Sequence, residues 1–335
     1  MQGIIVTDRL TKRYPVQKGY SGLLLHPLTK KETTALHNVN LTIRKGELFG
    51  LLGVNGAGKT TLIKILCTLV LPTSGKAFVN DLDVTKHEKE IKKIIGYVIS
   101  DERSFYWRLS GRENLRFFAK LNNIPHSDAD KKTEELLINL ELIDDADKMF
   151  KDYSSGMRKK MAIARGLLTD PEIIFMDEPT NGLDPITARH FRKFIREQLV
   201  DKERRTVVFA THNLREAEDL CDRIAVIHRG EVRVEGTVGE IRGMFITNKR
   251  YVMNLYQTDN GILEKIRQLR LSQKIINVSD SVSSGNVTLE MEIPAGNGDI
   301  PLLIEQVIKM GGRVSSFYEK ETPLEELFPK IVLKE

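Results

Sequence analysis

Residues 53 to 60 read Gly-Val-Asn-Gly-Ala-Gly-Lys-Thr, and no other stretch restricts the fold of this chain so tightly. The preceding run GELFGLLG, residues 46 to 53, is short, apolar and bounded by glycine, the pattern of a buried strand. The following run TTLIKILCTLVL, residues 60 to 71, sets Leu62, Ile63, Leu66 and Leu69 on one helical face, and Pro72 ends it. A strand, a glycine-rich turn with the spacing G-x-x-x-x-G-K-[ST] and a helix, in that order, make a phosphate-binding loop. Gly53, Gly56 and Gly58 let the backbone close on phosphate oxygens, so that successive amides through Asn55, Ala57 and on to Thr61 point at them. Lys59 adds a mobile cation, and the Thr60 hydroxyl is placed for Mg²⁺. Chance yields this spacing in a chain of such length on the order of once in a hundred. The flanking elements lower that further, so the motif is read as nucleotide binding.

Two more continuous apolar runs, EIIFM at 172–176 and TVVFA at 206–210, read as buried strands, with helical patterns at 190–199 and 214–220. Strands alternating with helices predict an α/β fold with a mostly parallel sheet covered on both faces. The strand signal vanishes between 101 and 170, which predicts an inserted helical subdomain. Residues 224–236, IAVIHRGEVRVEG, read as two strands turned at Arg229-Gly230 and close a first domain at about residue 240. From 246 to 335 the order becomes β-α-β-β-α-β, a small ferredoxin-like α+β domain, with a last helix opened by Thr322-Pro323-Leu324-Glu325.

Composition narrows the classes. With 335 residues, 41% of them apolar, the chain can bury a sizeable core and carry two domains. No window approaches a membrane-spanning apolar run, and the start lacks a basic segment followed by an apolar stretch, so neither a span nor a secretory leader is expected. Cys67 and Cys221 are too few for a disulfide framework or a zinc site, and a reducing cytoplasm fits them best. A net charge of +5 is a small excess on a heavily charged surface and does not point to nucleic acid.

Directly after the second buried strand stand Asp177 and Glu178. A carboxylate at the C-terminal end of a parallel strand lies where ligands collect, so Asp177 is placed to hold the metal's water shell. Glu178, one residue outside the strand, can take a proton from an attacking water. His212, at the end of the third buried strand, reaches the same edge and could donate a hydrogen bond to a γ-phosphate. Tyr14 could stack on adenine; core packing is the rival reading and Tyr20 another candidate.

One further stretch, YSSGMRKKMAIARGLL at 153–168, reads as a helix whose N-terminus suits an anion. With the phosphate loop, this helix, IIFMDEPTNGLD and VVFATH in that order, the chain resembles the ATP-binding cassette family over roughly residues 3 to 240. That resemblance implies an ATPase in which two cassettes meet head to tail, each ATP lying between one phosphate loop and the other cassette's signature helix. Ser154 and Gly156 would then face the partner's γ-phosphate, and Asp184 would help the two cassettes communicate. The family's Leu-Ser-Gly-Gly-Gln stands here as Tyr153-Ser154-Ser155-Gly156-Met157, keeping the serine and the second glycine. Where the family has a metal-touching glutamine after the strand IIGYV, this chain continues Ile99-Ser100-Asp101-Glu102. Ser100 aligns best and could reach the metal through a water; Asp101 is the other candidate.

The SSGM signature, the segment SDERSFYWRLSGRENL and the ending FYEKETPLEELFPKI are similar to the exporter subfamily that works with polytopic permeases moving drugs, polysaccharides, lipids or ions outward. This implies a cytoplasmic ATPase subunit on the inner face of the cell membrane, partnered by a permease and a second cassette, identical or not. Phe105, Tyr106 and Trp107 could receive a short helix of that permease or could be core. The alternative is a soluble cassette protein acting on ribosomes or nucleic acid; such proteins commonly have two cassettes, long coiled coils or zinc modules, none of which is seen. A phosphate-loop kinase or GTPase is disfavoured by the signature helix and His212.

Overall fold

Apolar runs without polar alternation belong in a sheet covered on both faces, and here they lie side by side at its centre. The structure, a computed structural model, describes residues 3–15, 32–99, 104–256, 278–283, 286–294 and 300–333. The chain divides into two compact units, Met1–Val238 and Gly239–Glu335.

The first unit opens with strands β1 (Ile5–Pro15), β2 (Glu32–Ile43) and β3 (Leu48–Leu52), then helix α1 (Lys59–Leu66). Next come β4 (Ser74–Val79), β5 (Leu82–Asp83), α2 (Glu88–Ile94) and β6 (Ile95–Ile99). Helices α3 (Gly111–Leu121), α4 (His126–Asn139) and α5 (Ser155–Leu167) occupy the stretch without strand patterning. Strand β7 (Ile173–Asp177), α6 (Pro185–Lys193), β8 (Thr206–Thr211) and α7 (Leu214–Leu220) follow, then the hairpin of β9 (Arg223–His228) and β10 (Glu231–Gly236).

An antiparallel sheet has the order β2-β1-β4-β5, and a second sheet the order β10-β9-β3-β8-β7-β6, parallel from β9 to β6. Alternate residues of the parallel strands serve different cores. Phe49, Leu51, Ile173, Phe175, Val208 and Ala210 pack with α1 and the antiparallel sheet. Leu48, Ile174, Met176, Val207 and Phe209 pack with the helical insertion. The period of two thus explains why the middles of these strands are continuously apolar, polar residues coming only at or beyond their ends, as at Glu47, Asp177, Thr206 and Thr211.

Two helices depart from expectation. α1 stops at Leu66 instead of running to Pro72: Thr68 turns left-handed (φ 60°), the amides of Leu69 and Val70 return to Lys64 O, and Leu69 is exposed. A left-handed cap ended the helix before its apolar period ran out. The helical pattern at 190–199 divides into α6 and a π-helical segment, Phe194–Lys202. The expected signature helix begins at Ser155, with the Ser154 hydroxyl accepting from Met157 N at 3.2 Å.

Helix α8 (Val238–Phe245) fills the interval after β10. The second unit then contains β11 (Asn248–Tyr256), β12 (Val278–Ser283), β13 (Asn286–Pro294), α9 (Ile300–Lys309), β14 (Val314–Lys320) and α10 (Leu324–Leu333). Its sheet order β12-β13-β11-β14, antiparallel throughout, is the ferredoxin-like order. The expected helix at 262–270 and all but the last residue of KIINV lie outside the described residues.

The signature helix is seated on the sheet through backbone. A Cβ on Gly96 in β6 would lie 2.3 Å from Gly166 O in α5. Gly96→Ala is therefore expected to cost about 3 kcal/mol, since neither strand nor helix backbone can yield cheaply. The urea midpoint should fall accordingly, and an unchanged midpoint would show that α5 is free to shift.

Candidate active site

Parallel register brings the site together. Leu52 pairs with Thr211 and Asp177 with Ala210, so the residues that leave β3, β7 and β8 emerge at one edge. There a cavity of about 160 Å³ is lined by Ala35, Val54 to Thr61, Asp177 and Glu178. The loop ends at Gly58, which has φ +114° and where a Cβ would meet Ala35 O at 2.7 Å. Gly58 caps α1 without a side-chain hydrogen bond, and the first turn of α1 carries no acid. The helix N-terminal amides therefore face the cavity uncapped by protein, the arrangement that binds phosphate. Two contributors come from other segments, and nothing local tied them to the loop: Ala35 in β2 forms a wall, and Gly230 N donates to Ala57 O at 2.8 Å from the β9–β10 turn.

Charges in this cleft are close and poorly hydrated. Lys59 is buried; its Nζ donates to Gly53 O at 2.5 Å and lies 3.3 Å from Glu178 Oε1. The Thr60 hydroxyl donates to Asp177 Oδ2 at 2.7 Å. Burial holds the Asp177 carboxyl above the usual carboxylate range, partly offset by the Thr60 hydrogen bond. Glu178 adopts φ +51°, a backbone state that costs a side-chain-bearing residue energy and turns the chain sharply at the strand end. From there its Oε2 lies 2.8 Å from His212 Nδ1, one residue beyond β8. Lys59, Glu178 and His212 thus form one chain of contacts beside the phosphate loop.

The pair Thr60 and Asp177 fits Mg²⁺. Both offer hard oxygen donors, and a half-buried carboxylate with a raised proton affinity gains from a cation beside it. Among the described residues no group of three or more His, Cys, Asp or Glu forms a metal site. The protein would supply these oxygens, and nucleotide and water the rest. Bound there, the ion would offset phosphate charge.

A second group of sequence candidates sits elsewhere. Ser154 caps α5, and Asp184 caps α6 by accepting from Ile186 N at 3.1 Å and Thr187 N at 3.0 Å. Hydrogen bonding by Thr187 holds the Asp184 carboxyl below its usual range. Gly156 shares a small cavity with Leu183 and Thr187, so the N-termini of α5 and α6 adjoin. None of Ser154, Gly156 and Asp184 lines the phosphate-loop cavity. Tyr14 does not line it either; it is half-buried in β1 opposite Thr33, with Lys12 Nζ 4.9 Å from its ring centre. Ser100, Asp101 and Tyr20 lie outside the described residues. The aromatic trio separates: Phe105 is buried against Phe150, whereas Tyr106 and Trp107 are exposed.

A cleft able to cradle a triphosphate and to take a proton from water beside it places the chain among phosphate-loop nucleotide hydrolases. Comparison with known proteins narrows the class. The family model described as ABC transporter matches residues 36–181. The chain is 39% identical over 209 residues to the ABC transporter ATP-binding protein NatA of Bacillus subtilis, covering 62% of this chain and 84% of that protein. It is 32% identical over 332 residues to ABC transporter A family member 3 of Arabidopsis thaliana, covering 98% of this chain. The match spans only 34% of that plant protein, about a third of its length. Among solved structures, the dimeric post-hydrolysis state of the ATP-binding cassette MJ0796 bound to ADP and Pi is similar, with 28% identity and a TM-score of 0.59 over 70% of this chain and 98% of that one. So is cbiO1 from Clostridium perfringens, part of the ABC transporter complex cbiONQ, with 25% identity and a TM-score of 0.61 over 81% of this chain and 96% of that one. The chain belongs to the ABC transporter family, as its ATP-hydrolysing cassette.

The raised Asp177 carboxyl has a consequence for stability. Its folded pKa exceeds the unfolded value, so the folded protein binds the proton more tightly. Stability from this group is present at low pH and is lost as pH rises through that window. Asp177→Asn removes the charge and keeps an acceptor for Thr60. We expect it to raise the melting temperature of the nucleotide-free protein more at pH 7 than at pH 4; an equal gain at both, by calorimetry, would refute the electrostatic cause.

Proposed function

We propose that this cassette drives a polytopic membrane permease of the exporter type, working in a pair with a second cassette, identical or not. The observation that carries this reading is the separation of the site. The phosphate loop, Asp177 and Glu178 line one cavity, while Ser154, Gly156 and Asp184 gather at the ends of α5 and α6 and contribute nothing to it. An exposed serine-capped helix N-terminus suits an anion that its own chain does not present. In the head-to-tail pair each ATP lies on one phosphate loop and is covered by the other cassette's Ser154 and Gly156, with Mg²⁺ at Thr60 and Asp177. The dimeric, ADP- and Pi-bound state of MJ0796 supports pairing in a similar protein.

In hydrolysis a water attacks the γ-phosphorus and gives its proton to the Glu178 carboxylate, the bond to the β–γ bridging oxygen breaks, and ADP leaves. His212, 2.8 Å from Glu178, orients that carboxylate and offers its other ring nitrogen towards the γ-phosphate. Lys59 exchanges its contacts with Gly53 O and Glu178 for phosphate oxygens. Tyr14 is the proposed adenine contact and Ser100 the proposed link between metal and helical subdomain. Tyr106 and Trp107, 50% and 44% exposed, form the aromatic surface offered to the permease. Among the described residues no helix is long and apolar enough to cross a membrane, so membrane attachment would run through that partner.

Glu178→Gln keeps shape but removes the base. Turnover should fall about 100-fold or more while ATP binding persists; retained turnover would remove Glu178 from this role. Val54→Cys, at an exposed loop position, together with exposed Ser155→Cys should form disulfides between cassettes when ATP is added to the Glu178→Gln protein. Absence of crosslinking in an ATP-loaded complex would overturn the paired site.

A further inference from the structure

Glu216 is a carboxylate only 4% exposed, on α7, outside every motif named above. Its Oε2 accepts from Thr180 Oγ1 at 2.9 Å and from Thr211 Oγ1 at 3.1 Å, and its Oε1 lies 3.3 Å from Arg192 Nη1. Each partner belongs to a segment with a part in the site. Thr180 follows Glu178 by two residues, and its carbonyl accepts from Leu183 N in the turn leading to Asp184. Thr211 is the last residue of β8, and its hydroxyl also accepts from Asn213 N at 3.0 Å, bracketing His212 between two held neighbours. Arg192 projects from α6, the helix that Asp184 caps. Glu216 itself is anchored by its backbone N, which donates to the Asn213 side chain at 3.1 Å.

We infer that Glu216 is a positioning residue for hydrolysis: one buried carboxylate sets the Glu178–His212 geometry and ties it to the Asp184-capped helix. A buried carboxylate is costly unless its oxygens are satisfied, so the three side-chain partners and Glu216 hold one another in place. The hydroxyls of Thr180 and Thr211 converge on a single oxygen, which fixes the strand ends carrying Glu178 and His212 relative to each other. The second oxygen makes that geometry sensitive to α6 through Arg192. Movement of the Asp184 end of α6 against a partner cassette then reaches the general base through Arg192, Glu216 and Thr180. This role rests on Glu178 as the base.

The test uses the full chain and compares Thr180→Val with Thr180→Ser, Thr211→Val with Thr211→Ser, and Glu216→Gln, with Glu178→Gln alongside. The valine variants and Glu216→Gln should lower kcat about ten- to a hundredfold while KM for ATP stays within about twofold, since misplacement of a base by a fraction of an ångström acts on the chemical step. The serine variants restore the hydroxyl and should recover most of the rate. Combining Thr180→Val with Glu216→Gln should cost little more than Glu216→Gln alone, because the Thr180 contact is common to both. Full kcat in the valine variants, or equal losses in the serine and valine variants with a falling melting temperature, overturns the positioning role. Glu178→Gln separates the causes: full turnover there removes the base and this role with it, whereas collapse there beside full turnover in the valine variants sinks the Glu216 role alone.

Discussion

Everything in the cassette depends on the parallel register of β3, β7 and β8. Parallel strands point their carboxyl ends the same way, and Leu52, Asp177 and Thr211 finish level within about one residue. The phosphate loop and, more than a hundred positions later, the strand-end residues Asp177, Glu178 and His212 therefore meet at one edge. A one-residue slip would exchange the two faces of every strand, putting Phe175 and Val208 into the wrong core. Packing on both faces thus fixes the catalytic geometry before any catalytic side chain interacts.

The site is costly to the fold that carries it. Lys59 is buried, burial raises the Asp177 carboxyl above its usual range, and Glu178 holds a left-handed backbone. These are unfavourable locally and are sustained by the well-packed strands on which they sit. Such a cleft is poised to accept a polyanion with a divalent cation, whose charges answer those already in place. The same reasoning accounts for Glu216, a buried acid satisfied by Thr180, Thr211 and Arg192.

Legibility followed the range of the interactions involved. The phosphate loop, α7 and the turn at Arg229-Gly230 were readable because each is set by residues within one short window. Leu69 was misplaced because the end of α1 was decided by a left-handed turn at Thr68, whereas apolar spacing continued past it. Phe105, Tyr106 and Trp107 look alike in sequence, yet Phe105 is buried between Phe150 and Phe118, whereas Tyr106 and Trp107 meet Phe117 and Phe150 edge-on and stay exposed. Glu216 carried no mark beyond the N-cap pattern Asn213-Leu-Arg-Glu216, since its partners come from three other segments.

By itself the sequence determined the chemistry: a glycine-lysine-threonine loop between strand and helix, acids at a strand end, a serine-capped helix, and their order along the chain. These follow from local backbone preference and hydrophobic period, which act over a few residues. Tertiary structure alone decided which of those groups share a cleft. It brought Lys59, Thr60, Asp177, Glu178 and His212 together and kept Ser154, Gly156 and Asp184 apart from them. The reason is that strand order and register are set by how two opposed apolar faces fill their cores, a condition on the whole sheet that no single window of sequence contains.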